Sequence, residues 1–244
     1  MALLEVKGLT KYFGGLRAVH DLSFQVNAGE ILGLIGPNGA GKTTAFNLIA
    51  GFIRPTAGHV LLEGEDLVGM KPYAVTRKGI ARTFQIVKPF KKLPVLENVA
   101  LAAFLRFPSR AEAESHAKDV LERMGLSQKL AAAATDLTLS EQKRLEIARA
   151  LATRPRLLLL DEPMSGLNST EIDQATRLVM EICRGGVTVI WVEHVLKAIM
   201  NASHRVVVIS QGQKIADSSP QQVVNNPEVI SAYLGKRSIE HVVC

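Results

Sequence analysis

The chain has 244 residues, 47% of them apolar, with 29 Lys and Arg against 23 Asp and Glu and a net charge of +6. Apolar content near the globular norm excludes a disordered or fibrous chain, the length supplies a core without staples, and Cys183 and Cys244 alone make neither a disulfide framework nor a metal site. No run approaches the roughly 18 apolar residues of a spanning helix, and the start lacks the basic-then-apolar layout of a secretory signal, so a reducing, cytoplasmic setting is expected.

In chain order, residues 3–6 and 22–26 alternate apolar and polar side chains as half-buried antiparallel strands do. Residues 31–35 form a short apolar run that reads as a buried strand, and 43–50 follow as a helix with Gly51 at its C-terminal end. From Ser109 to Met124 there is no Gly or Pro, and Ser109 with Glu112 makes an S-x-x-E capping box. Residues 86–154 are therefore assigned to a helical subdomain, with Arg154-Pro155 closing its last helix. Beyond it come a leucine strand at 157–160, a helix at 171–183, and strands at 187–192 and 206–210. Gln211-Gly212 then turns the chain into a hairpin with 214–217. This alternation predicts one α/β domain over 1–244: a largely parallel core, 1–85 and 155–244, an N-terminal antiparallel β layer, and the helical insert.

The strongest chemical signal is Gly36-Pro37-Asn38-Gly39-Ala40-Gly41-Lys42-Thr43, followed by Thr44, an uninterrupted G-x-x-x-x-G-K-[ST] between a strand and a helix. Glycines there let the backbone wrap an anion while N–H groups and the helix N-terminus point inward. Lys42 would neutralise β- and γ-phosphates, and the Thr43 hydroxyl would ligate Mg²⁺. The strand at 157–160 ends in Asp161-Glu162. Two adjacent carboxylates divide the work of hydrolysis, Asp161 holding Mg²⁺ through water and Glu162 polarising the attacking water. No N-K-x-D pattern for guanine is present, which favours ATP over GTP.

With these residues in place, the order of the remaining motifs resembles the ATP-binding subunits of ABC transporters, a P-loop NTPase fold, over the whole chain. The resemblance implies that Phe13 stacks on adenine, that Gln85 in Arg82-Thr83-Phe84-Gln85 reaches Mg²⁺ and the γ-phosphate, and that His194 contacts the γ-phosphate. Ser165-Gly166-Leu167-Asn168 occupies the family's D-loop, and Asn168 with Glu171 also reads as a helix N-cap. Leu137-Thr138-Leu139-Ser140-Glu141 departs from the family's L-S-G-G-Q, which closes over ATP held by a partner subunit. Thr138 stands for Ser, Ser140 for the second Gly and Glu141 for Gln; a Cβ at Ser140 is expected to hinder approach to phosphate or to demand a different φ. Thr138 and Glu141 still form a T-x-x-E capping box, so a helix N-terminus is kept. The expected result is a weakened rather than absent signature in a homo- or heterodimer. If the partner is a non-identical ATPase, this chain's phosphate loop with the partner's signature makes the competent site and the other site is degenerate.

Pro94-Val95-Leu96-Glu97-Asn98-Val99, the run from Glu193 to Met200 and the tail from Asn226 to Gly235 are similar to the larger ATPase of bacterial branched-chain amino-acid importers. That likeness implies membrane permease subunits, a second ATP-binding subunit, a periplasmic binding protein, and a peripheral place on the cytoplasmic face of the inner membrane. Related amide, urea or aromatic-acid cargoes stay open. The apolar and basic stretch 86–93 lies where the family docks its permease. The scattered basic residues settle little by themselves. With part of the +6 assigned to Lys42 and to the docking basics near Lys91, the charge no longer argues for a nucleic-acid partner. The alternatives are a soluble ABC ATPase, Fe–S assembly above all, and a P-loop small-molecule kinase. The kinase leaves Gln85, Glu162 and His194 unexplained.

Overall fold

A computed structural model describes residues 2–85 and 88–234. β1 (Ala2–Phe13) and β2 (Leu16–Asn27) form a long hairpin, and β1 also pairs antiparallel with β4 (Ala57–Leu62), which carries the short β5 (Glu65–Asp66). Both strands of the hairpin outrun the predicted segments. Their far ends, Lys11–Phe13 and Leu16–Arg17, are largely exposed, and register shifts interrupt the pairing between Val6 and Tyr12, so apolar alternation fades where pairing continues.

The second sheet holds β3 (Ile31–Ile35), β6 (Ile80–Arg82), β7 (Leu157–Asp161), β8 (Thr188–Val192), β9 (Arg205–Ser210) and β10 (Gln213–Ser218), in the order β10-β9-β3-β8-β7-β6. All neighbours are parallel except β9 and β10, the predicted hairpin, whose turn residues Gln211 and Gly212 both have positive φ (50° and 81°) as a mirror-image turn requires.

β3, β7 and β8 are buried along their whole length, and the strand period of two sorts their side chains onto two cores. Ile31, Ile35, Leu158, Leu160, Val189 and Trp191 face the helical side. Leu32, Leu34, Leu157, Leu159, Ile190 and Val192 face α1 (Lys42–Ile49) and the antiparallel sheet. α1 thus lies between the two sheets, fixed by fully buried Phe46 and Ala45. Burial of each large side chain contributes roughly 1.5–3 kcal/mol.

After α2 (Pro72–Lys78), the described residues between β6 and β7 contain helices: α3 (Val95–Ala103), α4 (Arg110–Arg123) and α5 (Leu139–Ala152), packed on one another. Ser109 caps α4 by accepting the Glu112 N–H (3.2 Å), but the Glu112 carboxylate accepts from the Ser109 hydroxyl (2.9 Å) rather than from its N–H, so only half of the predicted capping box forms. α5 stops at Ala152 with Thr153 at its cap, two residues short of Arg154-Pro155, and Arg154 takes φ 49° with its guanidinium over the Phe107 ring. Fully buried Asn98 accepts the Phe90 N–H (2.8 Å) and donates to the Leu93 carbonyl (3.0 Å), tying residues 90–94 to α3. The fold closes with α6 (Ser169–Arg184), α7 (Leu196–Ala202), α8 (Pro220–Val224) and α9 (Pro227–Leu234).

Candidate nucleotide-binding site

The C-terminal ends of adjacent parallel strands deliver the motifs to one place, as expected where ligands bind in open α/β sheets. β3 leads into the phosphate loop, β8 into Glu193-His194, β7 ends in Asp161 with Glu162 next, and β6 leads toward Gln85. Glycine is obligatory at two loop positions: a Cβ on Gly36 would strike the Ile209 carbonyl, and one on Gly41 the Ala18 carbonyl, and both residues have positive φ. No side chain caps α1, which leaves its first-turn N–H groups free to meet an anion. Lys42 is buried and donates to the carbonyls of Gly36 (2.8 Å) and Pro37 (3.0 Å). Burial pushes its ammonium pKa down, while Glu162 and then Asp161 oppose that shift.

A cavity of about 530 Å³ is lined by Asn38 to Thr44, by Phe13, and by Gln85, Glu162 and His194. The Phe13 ring is half exposed, with the Lys11 ammonium 5.2 Å from its centroid. Glu162 is a hub: Gln85 Nε2 donates to one carboxylate oxygen (2.7 Å), and His194 Nε2 lies 2.8 Å from the other. Glu162 also takes φ 50°, a left-handed conformation unusual for a non-glycine residue. Lys143 of α5 donates to its carbonyl at 3.2 Å.

Asp161 faces elsewhere. It borders a neighbouring cavity of about 690 Å³ that shares Thr43 and Gln85 with the first. Its Oδ2 accepts from Arg82 (2.7 Å), whose guanidinium also bonds Asn47 and lies 5.2–5.8 Å from the ring centroids of Phe46, Phe52 and Phe84. Its Oδ1 is buried without a hydrogen-bond partner among the described residues. Among those residues no group of three or more His, Cys, Asp and Glu could hold a metal. The spare Asp161 oxygen and the exposed Thr43 line the same cavity, a sparse oxygen set compatible with Mg²⁺, which binds through one or two side chains, water and substrate phosphates rather than in a protein cage.

Thr138, Ser140 and Glu141 are not brought to this cavity. The predicted capping box is present: Thr138 Oγ1 accepts the Glu141 N–H (3.3 Å), and Glu141 accepts the Thr138 N–H (2.9 Å), which lowers the Glu141 carboxyl pKa. Ser140 lines a separate cavity of about 300 Å³ with Lys143, Met164 and Leu167. It sits within α5 and is not among the residues with positive φ, so the serine occupies ordinary helical backbone. The serine side chain itself is the remaining departure.

Sequence reasoning passed over Arg82, Lys143, Glu146 and Glu193. Glu146 is buried on α5 and accepts the Phe84 N–H at 2.6 Å; burial pushes its carboxyl pKa up to about 7. The legible signal was an acid embedded in the apolar run Leu145, Ile147, Ala148. Of the docking stretch, Ile86 and Val87 lie outside the described residues, as do Gly235 of the tail and Cys244. Arg149 lies over the half-exposed Phe90 ring and donates to the Lys88 carbonyl (2.9 Å).

A G-x-x-x-x-G-K-T loop between a buried parallel strand and a helix, with a carboxylate hub at the end of a nearby strand, defines a P-loop nucleoside triphosphatase. The ABC transporter family model matches residues 19–165, and a model described as branched-chain amino acid ATP-binding cassette transporter matches 213–238. The chain is 42% identical to the high-affinity branched-chain amino acid transport ATP-binding protein BraF of Pseudomonas aeruginosa and 41% to LivG of Escherichia coli K12, covering 96% of this chain and 98% of each relative. A crystal structure of the ADP conformation of an ATP-binding cassette from an ABC transporter superposes with TM-score 0.88 at 31% identity, covering 97% of this chain and all of that one. The chain belongs to the ABC transporter family and is an ATPase of the ABC type. These likenesses disfavour the soluble Fe–S assembly alternative. Among the described residues no helix is long and apolar enough to cross a membrane.

Proposed function

We propose that this chain is the ATP-hydrolysing subunit of a bacterial importer of branched-chain amino acids or related small amide or aromatic acids. It works peripherally at the cytoplasmic face of the inner membrane with permease subunits, a second ATP-binding subunit and, indirectly, a periplasmic binding protein. One observation carries the reading: Lys42, Gln85, Glu162 and His194, from four separate segments, line one cavity with Phe13, while Thr138, Ser140 and Glu141 stand outside it. A second cassette's signature segment would complete this site, as this chain's segment would complete the partner's.

In this reading adenine stacks on Phe13, and residues 36–44 cradle the phosphates with the Lys42 charge against the β- and γ-groups. Thr43, Asp161 and Gln85 would hold Mg²⁺, which when bound neutralises developing phosphate charge. Glu162 polarises water for attack on the γ-phosphorus; the bond to the ADP oxygen breaks as the water proton passes to the carboxylate. His194 and Gln85, both bonded to Glu162, orient that step and exchange their contacts toward the γ-phosphate. The helical subdomain, about 86–154 inserted between core segments 1–85 and 155–244, moves with closure and carries the docked permease, residues 88–93 contributing. The test is purification of the chain from native membranes and identification of what accompanies it. Multi-span permeases and a binding protein are expected; soluble scaffold proteins in their place would overturn the proposal.

A further inference from the structure

The turn after β7 and the segment after β8 meet at one buried side chain that the scheme above leaves unused. Glu193 is 3% exposed. Its Oε1 accepts the Met164 N–H at 2.7 Å, and its Oε2 accepts the His194 N–H at 3.0 Å and, more weakly, the Val195 N–H at 3.4 Å. Met164 lies two residues beyond Glu162, and His194 is the residue that bonds Glu162. One carboxylate therefore spans the two backbones whose side chains make the His194–Glu162 contact. The turn it grips includes the left-handed Glu162, so it needs external support. Of the charged groups around it, Lys143, whose Nζ bonds the Glu162 carbonyl, feels the Glu193 charge, and Glu162 opposes ionisation of Glu193.

We infer that Glu193 is a positioning residue for ATP hydrolysis, a two-sided carboxylate clamp that sets the His194 imidazole against Glu162 by tying the backbone after β8 to the backbone after β7. The inference rests on the roles given to Glu162 and His194 above. The chemistry calls for an acid, because N–H donors meet both oxygens. Glutamine has the same size but one acceptor; in either orientation its NH₂ group would face an N–H. Glu193→Gln thus releases one side of the clamp without opening a cavity.

The experiment uses the full chain with the subunits that co-purify with it. Steady-state ATPase, melting temperature and affinity for a fluorescent ATP analogue are measured for wild type, Glu193→Gln, His194→Ala, the double variant and Glu162→Gln. For Glu193→Gln the expected result is a kcat about tenfold or more lower, with KM and analogue affinity changed less than about twofold. Adding His194→Ala to it should lower kcat little further, because the imidazole is already released. Wild-type kcat in Glu193→Gln overturns the inference. So do kcat and affinity falling in parallel, loss of folding, or losses that multiply in the double variant, each of which assigns Glu193 to general structure. If Glu162→Gln keeps near-normal turnover, the site reading itself fails; if it is inactive while Glu193→Gln is normal, only the clamp fails.

Discussion

Glu162 accepts from Gln85, pairs with His194 and is held through its own carbonyl by Lys143, a concentration of contacts on one strained residue that local stability alone does not require. Glu162→Gln keeps the shape and the acceptor for Gln85 but cannot take a proton. It is expected to retain ATP binding, trap a closed dimer and lose on the order of 10²-fold or more in kcat, measured by ATPase assay and gel filtration with ATP. Lys42→Ala removes the cation at the phosphate loop and should abolish binding, read by equilibrium titration with an ATP analogue.

Glu146 gives a pH dependence with a definite sign. Its folded carboxyl pKa stands at about 7 against 4.5 for the free group, so between these values the folded chain binds the extra proton. Stability attached to the protonated form is therefore present at low pH and lost as pH rises through about 7, by up to about 3 kcal/mol. Glu146→Gln keeps an acceptor for the Phe84 N–H and carries no charge. Its melting temperature should exceed wild type at pH 8 and match it near pH 5.

At the scale of elements, α5 shows why some features were readable. Its start is encoded within four residues: Thr138 and Glu141 exchange bonds across one turn, as Asn168 and Glu171 do at α6, so no distant contact is needed. Thr138→Ala should cost about 1 kcal/mol and lower the melting temperature by about 2–4 °C, checked by thermal unfolding. The hairpin of β1 and β2 was only half legible because its outer ends pair through exposed, bulged backbone, where side chains carry no burial pattern. Arg82 was quoted within a motif without a role, since nothing local announces that three phenylalanines, Asn47 and Asp161 converge on it.

For the whole molecule, the sheet separates two cores, and the strand ends of one edge assemble the cavity while the start of α5 stands outside it, Ser140 lining a separate cavity. If competent ATP sites form between non-identical cassettes, Ser140 marks the weaker one. ATPase should then be low for this chain alone, rise on mixing with its partner, and rise again with Ser140→Gly. Full activity alone, with no gain from Ser140→Gly, would refute that pairing.

The sequence by itself determined the phosphate loop, the order of the motifs, the alternation of strands and helices, and the helix caps, because each depends on residues within a turn or on a regular period. Only the tertiary structure decided that Asp161 turns to Arg82 and a second cavity, that Ser140 lies in a relaxed helix, and that Glu146 and Glu193 are buried acids bound to backbone N–H groups. Those outcomes depend on which distant donors come to meet a side chain once the strands are stacked in their order, and no local pattern encodes that meeting.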